Sequence, residues 1–133
     1  NNHRPSFHEG VVVKVNVNQR YATTSTTHAV LKQIAAEANV PLQKVVVRND
    51  SPCGSTVGPI LAARLGIQTI DVGCPQLAMH SIREMIDTNS LNQATRLYAI
   101  PTHERLCPSQ LRVDVNSHTE NGENGDLMSE CYL

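Results

Sequence analysis

Two valine-rich runs separated by one helical repeat constrain the fold of this chain more than any other feature. Val11-Val12-Val13-Lys14-Val15 is opened by Gly10 and followed by Asn16 and Asn18. A β-branched, nearly continuous apolar run of this kind reads as a buried or half-buried strand. Lys44 to Arg48 repeats the pattern, with Val45-Val46-Val47 at its centre. Between the two runs, Thr23 to Thr27 is rich in capping hydroxyls, and Ala29, Val30, Ile34, Ala35 and Ala38 recur at helical spacing. The spacing predicts a helix from about Thr26 to Ala38, stopped at Asn39 with Pro41 just beyond.

The pattern continues downstream. Asn49-Asp50-Ser51-Pro52 is a turn. Ser55 or Thr56 is placed to cap a helix carrying Ile60, Leu61 and Leu65, with Pro59 in its first turn and Gly66 closing it. A third strand is expected over Ile67 to Val72, a turn over Gly73 to Pro75, and a third helix from Met79 onward that weakens after about Leu97. Alternating strands and helices predict an α/β layered domain with parallel strands. Strands this uniformly apolar imply helices on both faces of the sheet. From about Pro101 the chain turns polar, as in Asn116 to Gly125, and too few large apolar residues remain to offset the entropy of ordering it. Residues 101–133 therefore read as a mostly disordered tail.

Composition narrows the function classes. Aromatics make up 3% of the chain and Trp is absent, so the core rests on Val, Ile, Leu and Ala. The net charge of -1, from 11 basic and 12 acidic residues, supplies no long-range field to attract nucleic acid or an anionic membrane. Neither partner is expected, since no basic stripe carries interleaved aromatics and no apolar stretch is long enough to span a bilayer. Cys53, Cys74, Cys107 and Cys131 form no close-spaced ligand pairs of the zinc-finger kind. Reduced thiols in the cytoplasm are the expected state. The sequence starts at Asn1 rather than Met, so the lack of a leader pattern there carries little weight.

The histidines are the first candidates for chemistry. No H-E-x-x-H pattern occurs. His80 stands out because it follows the Gly73-Cys74-Pro75 turn, beyond the end of an expected parallel strand, where open α/β sheets place their ligands. On residue physics alone, a histidine at a helix start bonded to backbone outweighs a metal role. Cys53 has no identifiable base beside it and reads as a small buried residue rather than a nucleophile. Gly54 and Ser55-Thr56, ahead of a helix N-terminus, are placed to hold an anionic group or a carbonyl oxygen.

Four blocks add a more specific signal. They are Asn2-His3-Arg4-Pro5; Lys14-Val15-Asn16 with Gln19-Arg20-Tyr21-Ala22; Val47 through Ala62, which includes Asn49-Asp50-Ser51-Pro52-Cys53-Gly54-Ser55-Thr56; and Pro75-Gln76-Leu77-Ala78-Met79-His80-Ser81-Ile82-Arg83-Glu84. In order and spacing they resemble the aspartyl aminopeptidase family, from about Asn2 to Met85. The resemblance implies a partial three-layer αβα zinc-peptidase catalytic domain over residues 1–100 and a divergent tail over 101–133. It implies a cytosolic enzyme that removes N-terminal Asp or Glu from peptides with two zinc ions and assembles as a large homo-oligomer. It further implies that His80 is a zinc ligand and that Lys14 and Tyr21 contact the substrate. Taken without the family, Lys14 would read as snorkelling and Tyr21 as packed. A Lys suits a substrate carboxylate, and a Tyr hydroxyl suits a carbonyl or tetrahedral oxyanion.

The sequence also departs from the family. The other metal ligands and the general-base Glu belong to motifs that do not occur in this chain, so no catalytic residue is assigned and only one zinc ligand is expected. After Met85 the family continues with a Gly- and Phe-rich helix, whereas Ile86 to Leu91 leads into polar sequence. Loss of that helix would uncover a sheet face. Two readings follow: an inactive part of an aspartyl aminopeptidase, or a non-catalytic subunit that associates with full-length relatives.

Overall fold

A computed structural model of the chain describes residues 3–100. The elements are β1 (Val11–Val15), α1 (Ser25–Ala38), β2 (Leu42–Val46), α2 (Gly58–Leu65), β3 (Val72–Gly73), β4 (Gln76–Leu77), β5 (Met85–Ile86) and α3 (Thr88–Ala99). The tail expected to be disordered, 101–133, lies outside the described residues.

β1 is the middle strand of a three-stranded sheet ordered β2-β1-β3. It pairs with β2 in parallel, from Val11 opposite Leu42 to Val15 opposite Val46. The two valine runs and the helix between them therefore form the α/β crossover unit that their patterns predict. Entry into β1 depends on Gly10. Its φ is +103°, and a Cβ there would fall 1.9 Å from the Pro41 carbonyl oxygen, the same oxygen that accepts from the Val11 amide at 3.2 Å. Any side chain would separate the two strand starts.

Alternation along β1 divides the sheet into two faces. Val11 and Val13 are fully buried and join Leu31 and Ala35 of α1 and Ala94 and Leu97 of α3 in one cluster. Thus α1 and α3 pack on the same face. Burial of a Val or Leu side chain is worth about 2 kcal/mol, and an N-cap about 1. The apolar face therefore positions the helices, and the caps set where they begin. Thr24 caps α1 reciprocally with Thr27, and Asn39 ends it in the left-handed conformation. The Arg96 guanidinium donates to the Ala38 and Asn39 carbonyls at 2.7 and 3.2 Å, tying α3 to the exposed end of α1.

Four expectations change. The stretch Ile67 to Val72 is not a long parallel strand; only Val72–Gly73 pairs, and it is antiparallel to β1. With Val13 opposite Val72, the register carries residues 67–69 past the end of β1, where no strand is available to pair with them. The third helix begins at Thr88, not Met79, because the segment between folds back through β4 and β5, which pair Gln76 with Ile86 and Leu77 with Met85. Ser55 and Thr56 do not cap α2, whose N-cap is Val57 without a side-chain bond. The sheet face feared lost is covered, since Leu97 of α3 is only 2% exposed. On the opposite face, which carries Val12 and Lys14, the described residues place no helix of the core cluster. No described helix is long and apolar enough to cross a membrane.

The start of α3 also holds the segment before β1. The Asp87 carboxylate caps α3 by accepting from the Ser90 amide at 2.7 Å and from the Ser90 hydroxyl. It also takes the His8 amide at 3.3 Å and the His8 ring Nδ1 at 3.1 Å. Burial alone would raise this carboxyl, but the bonds from Ser90 and His8 outweigh it and hold it at about 2, below the ordinary 3.8. A carboxyl lowered in the fold contributes stability that is complete above its unfolded value and lost as pH falls through the folded one. Acidification from 3.8 through about 2 is therefore expected to release both the first turn of α3 and residues 6–10. Amide exchange at Ser90 and His8 measures this. In Asp87→Asn that acid step should disappear, and its persistence would place the step elsewhere.

Candidate functional site

Lys14 and Tyr21 meet at the exit of β1. Lys14 is the penultimate residue of the strand and points to the face opposite the core. Its amide donates to the Asp71 carbonyl at 2.9 Å, which fixes the backbone. Its side chain runs across Gly73, where an added Cβ would come within 3.3 Å of the Lys14 Cε. The ammonium ends 5.9 Å from the centroid of the Tyr21 ring, a cation–π distance. No acidic partner for Lys14 is found among the described residues.

Tyr21 lies in the connection between β1 and α1, and several hydrogen bonds immobilise that connection. The Arg20 carbonyl accepts from the Thr56 amide at 3.2 Å and from the hydroxyls of Ser55 and Thr56 at 3.2 and 3.5 Å. The Ala22 amide donates to Asp71 Oδ2 at 2.6 Å. The Thr23 hydroxyl accepts from the Asp71 amide at 3.1 Å. Ser55 and Thr56, expected to hold a ligand, thus spend hydroxyl bonds on the Arg20 carbonyl.

The Tyr21 oxygen contacts Cys53, whose Sγ is 3.4 Å away. Cys53 is half-buried and forms no disulfide among the described residues, rather than the packed interior residue its sequence suggests. The hydrogen bond with Cys53 is the main reason that the Tyr21 phenol is pushed up to about 12, with burial and the nearby charges of Cys53 and Asp71 adding to it. Tyr21 is therefore a neutral O–H donor throughout the physiological range.

His80 lies on a different segment from this pair. It is exposed, in a turn where both Ala78 (φ 54°) and His80 (φ 68°) are left-handed. Its amide donates to the Glu84 carboxylate, and the Ser81 amide to the Ala78 carbonyl at 3.0 Å. Two non-glycine residues in this conformation cost energy, a kind of strain that clusters at functional sites. The neighbouring Met79 lines an open cleft of about 690 Å³ together with Arg4, Phe7, Val12, Lys14 and Cys74. The cleft thus reaches from Lys14 to the residue beside His80, and His80 itself is not part of its lining. Among the described residues, no group of three or more His, Cys, Asp or Glu could hold a metal ion. The side chains present therefore do not fit a zinc site, and His80 is one candidate donor without companions.

Asp71 and Cys53 are the contributors that residue patterns missed. Asp71 falls in an expected strand, and its carboxylate role depends on pairing between distant segments. It also sits against the first turn of α2, where an added Cβ at Gly58 would fall 2.4 Å from Asp71 Oδ2. Asp71→Ala leaves the buried Ala22 amide without an acceptor. The expected cost is about 1–3 kcal/mol, read from the denaturant midpoint, together with a freer Tyr21 ring by NMR. Asp71→Asn keeps an acceptor and should recover most of the loss. An unchanged midpoint in the alanine variant would remove Asp71 as the tie.

Known proteins resemble this chain over most of the described residues. The family model described as aminopeptidase I zinc metalloprotease (M18) matches residues 1–100, extending past Met85, where the block resemblance stops. An aspartyl aminopeptidase of Caenorhabditis elegans is 79% identical over 105 residues, 79% of this chain and 22% of that protein. Among solved structures, one of the Ape4 and Nbr1 complex superposes with a TM-score of 0.69 at 52% identity, over 71% of this chain and 18% of that one. The mApe1 dodecamer of S. cerevisiae superposes with a TM-score of 0.63 at 28% identity, over 73% of this chain and 20% of that one. The chain spans about a fifth of the length of the curated relatives it matches.

Proposed function

Because the chain belongs to the aminopeptidase I zinc metalloprotease (M18) family, we propose that it supplies one wall of an aspartyl aminopeptidase site, which removes N-terminal Asp or Glu from peptides. The observation that carries this reading is the Lys14–Tyr21 pair, an ammonium with no acidic partner among the described residues, 5.9 Å from the ring of a neutral phenol donor at the exit of the central strand. In this reading Lys14 attracts the carboxylate of the acidic side chain, and Tyr21 donates its O–H to the peptide carbonyl oxygen, where negative charge develops. The family is one of zinc peptidases, and His80 is proposed as the single ligand this chain contributes to a two-zinc site. With one donor among the described residues, no catalytic residue and no metal step are assigned to the chain, and alone it is inactive. A cytoplasmic setting belongs to the same reading.

A second reading, a non-catalytic subunit of a homo-oligomer, has its own support. Val57, Ile60 and Leu65, on and beside α2, are 64, 52 and 63% exposed, and a structural neighbour is a dodecamer. In that case the chain comigrates on sizing with a full-length aspartyl aminopeptidase after co-expression. Separate elution would dismiss it.

The main reading is tested on the 133-residue chain. An Asp-dipeptide is expected to shift the NMR signals of Lys14 and Tyr21, an Asn-dipeptide to shift them far less, and Lys14→Met to abolish the response. Equal response to both dipeptides would sink the assignment. No hydrolysis of an Asp-peptide is expected even with added zinc. Turnover that disappears in His80→Ala would overturn the inactivity of the chain.

A further inference from the structure

The Cys53 thiol lies between two acceptors. Its sulfur is 3.4 Å from the Tyr21 oxygen and 3.1 Å from the Gly54 carbonyl oxygen. A thiol carries one proton, so it can donate to only one of them at a time. When it donates to Gly54, its sulfur is free to accept the phenol proton of Tyr21. When it turns toward Tyr21, the phenol oxygen accepts, and the Tyr21 proton is free to point away from the sulfur. The exchange needs only rotation about Cβ–Sγ of Cys53 and about the phenol C–O bond of Tyr21, and no covalent bond is made or broken.

The surrounding bonds keep the two side chains facing each other. The loop bearing Cys53 is fastened to the Tyr21 segment through the Arg20 carbonyl, which accepts from the Thr56 amide at 3.2 Å and the Ser55 hydroxyl at 3.2 Å. Lys14 approaches the Tyr21 ring, so the phenol is held by a cation at its ring and by sulfur at its oxygen. Cys53 is bonded to no base among the described residues, and the proposed substrate contacts leave it unused.

We propose that Cys53 is a positioning residue for Tyr21, its thiol rotor holding the phenol oxygen and switching the phenol proton between a parked bond to sulfur and an outward bond to a carbonyl oxygen. The functional half rests on the reading that Tyr21 donates to the substrate; the contact itself does not. An electron-rich neighbour that accepts the phenol proton also keeps the phenol protonated, in line with the raised Tyr21 value. Serine offers the same donor and acceptor pair at this position, whereas alanine offers neither.

The test reads Tyr21 directly and uses no enzymatic activity. N-Acetylimidazole acetylates phenolate oxygen, so its rate at mildly alkaline pH follows the fraction of Tyr21 that has lost its proton. Acetylation of Tyr21 is followed by peptide mass spectrometry against free N-acetyltyrosine in the same tube. Only the initial rate is taken, before the Cys53 peptide gains the acetyl group that the same reagent places on thiols. Cys53→Ala is expected to raise the Tyr21 rate by about tenfold or more, one unit of proton affinity being a factor of about ten. Cys53→Ser is expected to stay within about threefold of the native rate. A second arm avoids relying on the alanine variant to fold. Methyl methanethiosulfonate caps the thiol of the native chain as a mixed disulfide, with sulfinate leaving, and a reductant restores it. Capping should raise the Tyr21 rate and reduction should reverse it, while the treated Cys53→Ser chain stays unchanged. A Tyr21 rate indifferent to Cys53→Ala and to capping, or a serine variant that behaves as alanine, would overturn the proposal. If the contact holds but Lys14 and Tyr21 do not respond to an Asp-dipeptide, the functional reading fails alone.

Discussion

The rest of the structure depends on β1 being paired on both edges. Val11 and Val13 reach zero exposure only because β2 and β3 flank the strand and α1 and α3 cover one face. The same pairing brings β3 and Asp71 to the edge of β1, where the Lys14 amide and the Asp71 carbonyl meet. Asp71 then holds the Ala22 amide and the Thr23 hydroxyl. The loop that presents Tyr21 is therefore tied to the central strand through Asp71, and to the loop of Ser55 and Thr56 through the Arg20 carbonyl. The close approach of Gly10 and Pro41 sits at the opposite end of β1 and sets the parallel register that starts this chain of contacts.

Local pattern was sufficient where structure is decided by neighbours in sequence. The valine runs, the Thr24 capping region, the left-handed Asn39 and the Gly66 helix end are all such cases. It failed where the outcome depends on which strand is available. Residues 67–71 have strand character, yet antiparallel pairing with a five-residue β1 leaves most of them without a partner. Met79 and its neighbours have helical spacing, but the β4–β5 hairpin claims them first, and the helix waits for a true cap at Asp87.

Legibility of the site divides in the same way. The residue types of Lys14, Tyr21 and His80 suggest chemistry only through the family blocks; spacing alone leaves snorkelling, packing and backbone bonding as adequate accounts. The juxtaposition of Lys14 with Tyr21 comes from a strand end meeting a loop seven positions later. Cys53, 32 residues from Tyr21, is brought in by the bonds to the Arg20 carbonyl. Nothing in a linear pattern encodes that carbonyl as a hub, since every residue carries one.

The described side chains differ in how ready they are to act, and the difference is physical. A zinc centre needs several deprotonated donors converging on one point, because each ligand must offset part of the ion's lost hydration. One exposed imidazole on a turn offsets little of it. Tyr21, by contrast, needs no metal to be ready: it is neutral, held at its oxygen by Cys53 and approached at its ring by Lys14. The Lys14–Tyr21 pair is thus assembled by this chain's own fold, while no group of three or more metal donors comes together among the described residues. The two left-handed residues of the turn, Ala78 and His80 itself, are costly in isolation. They become intelligible if the turn's geometry is set by what His80 must reach rather than by what surrounds it among the described residues.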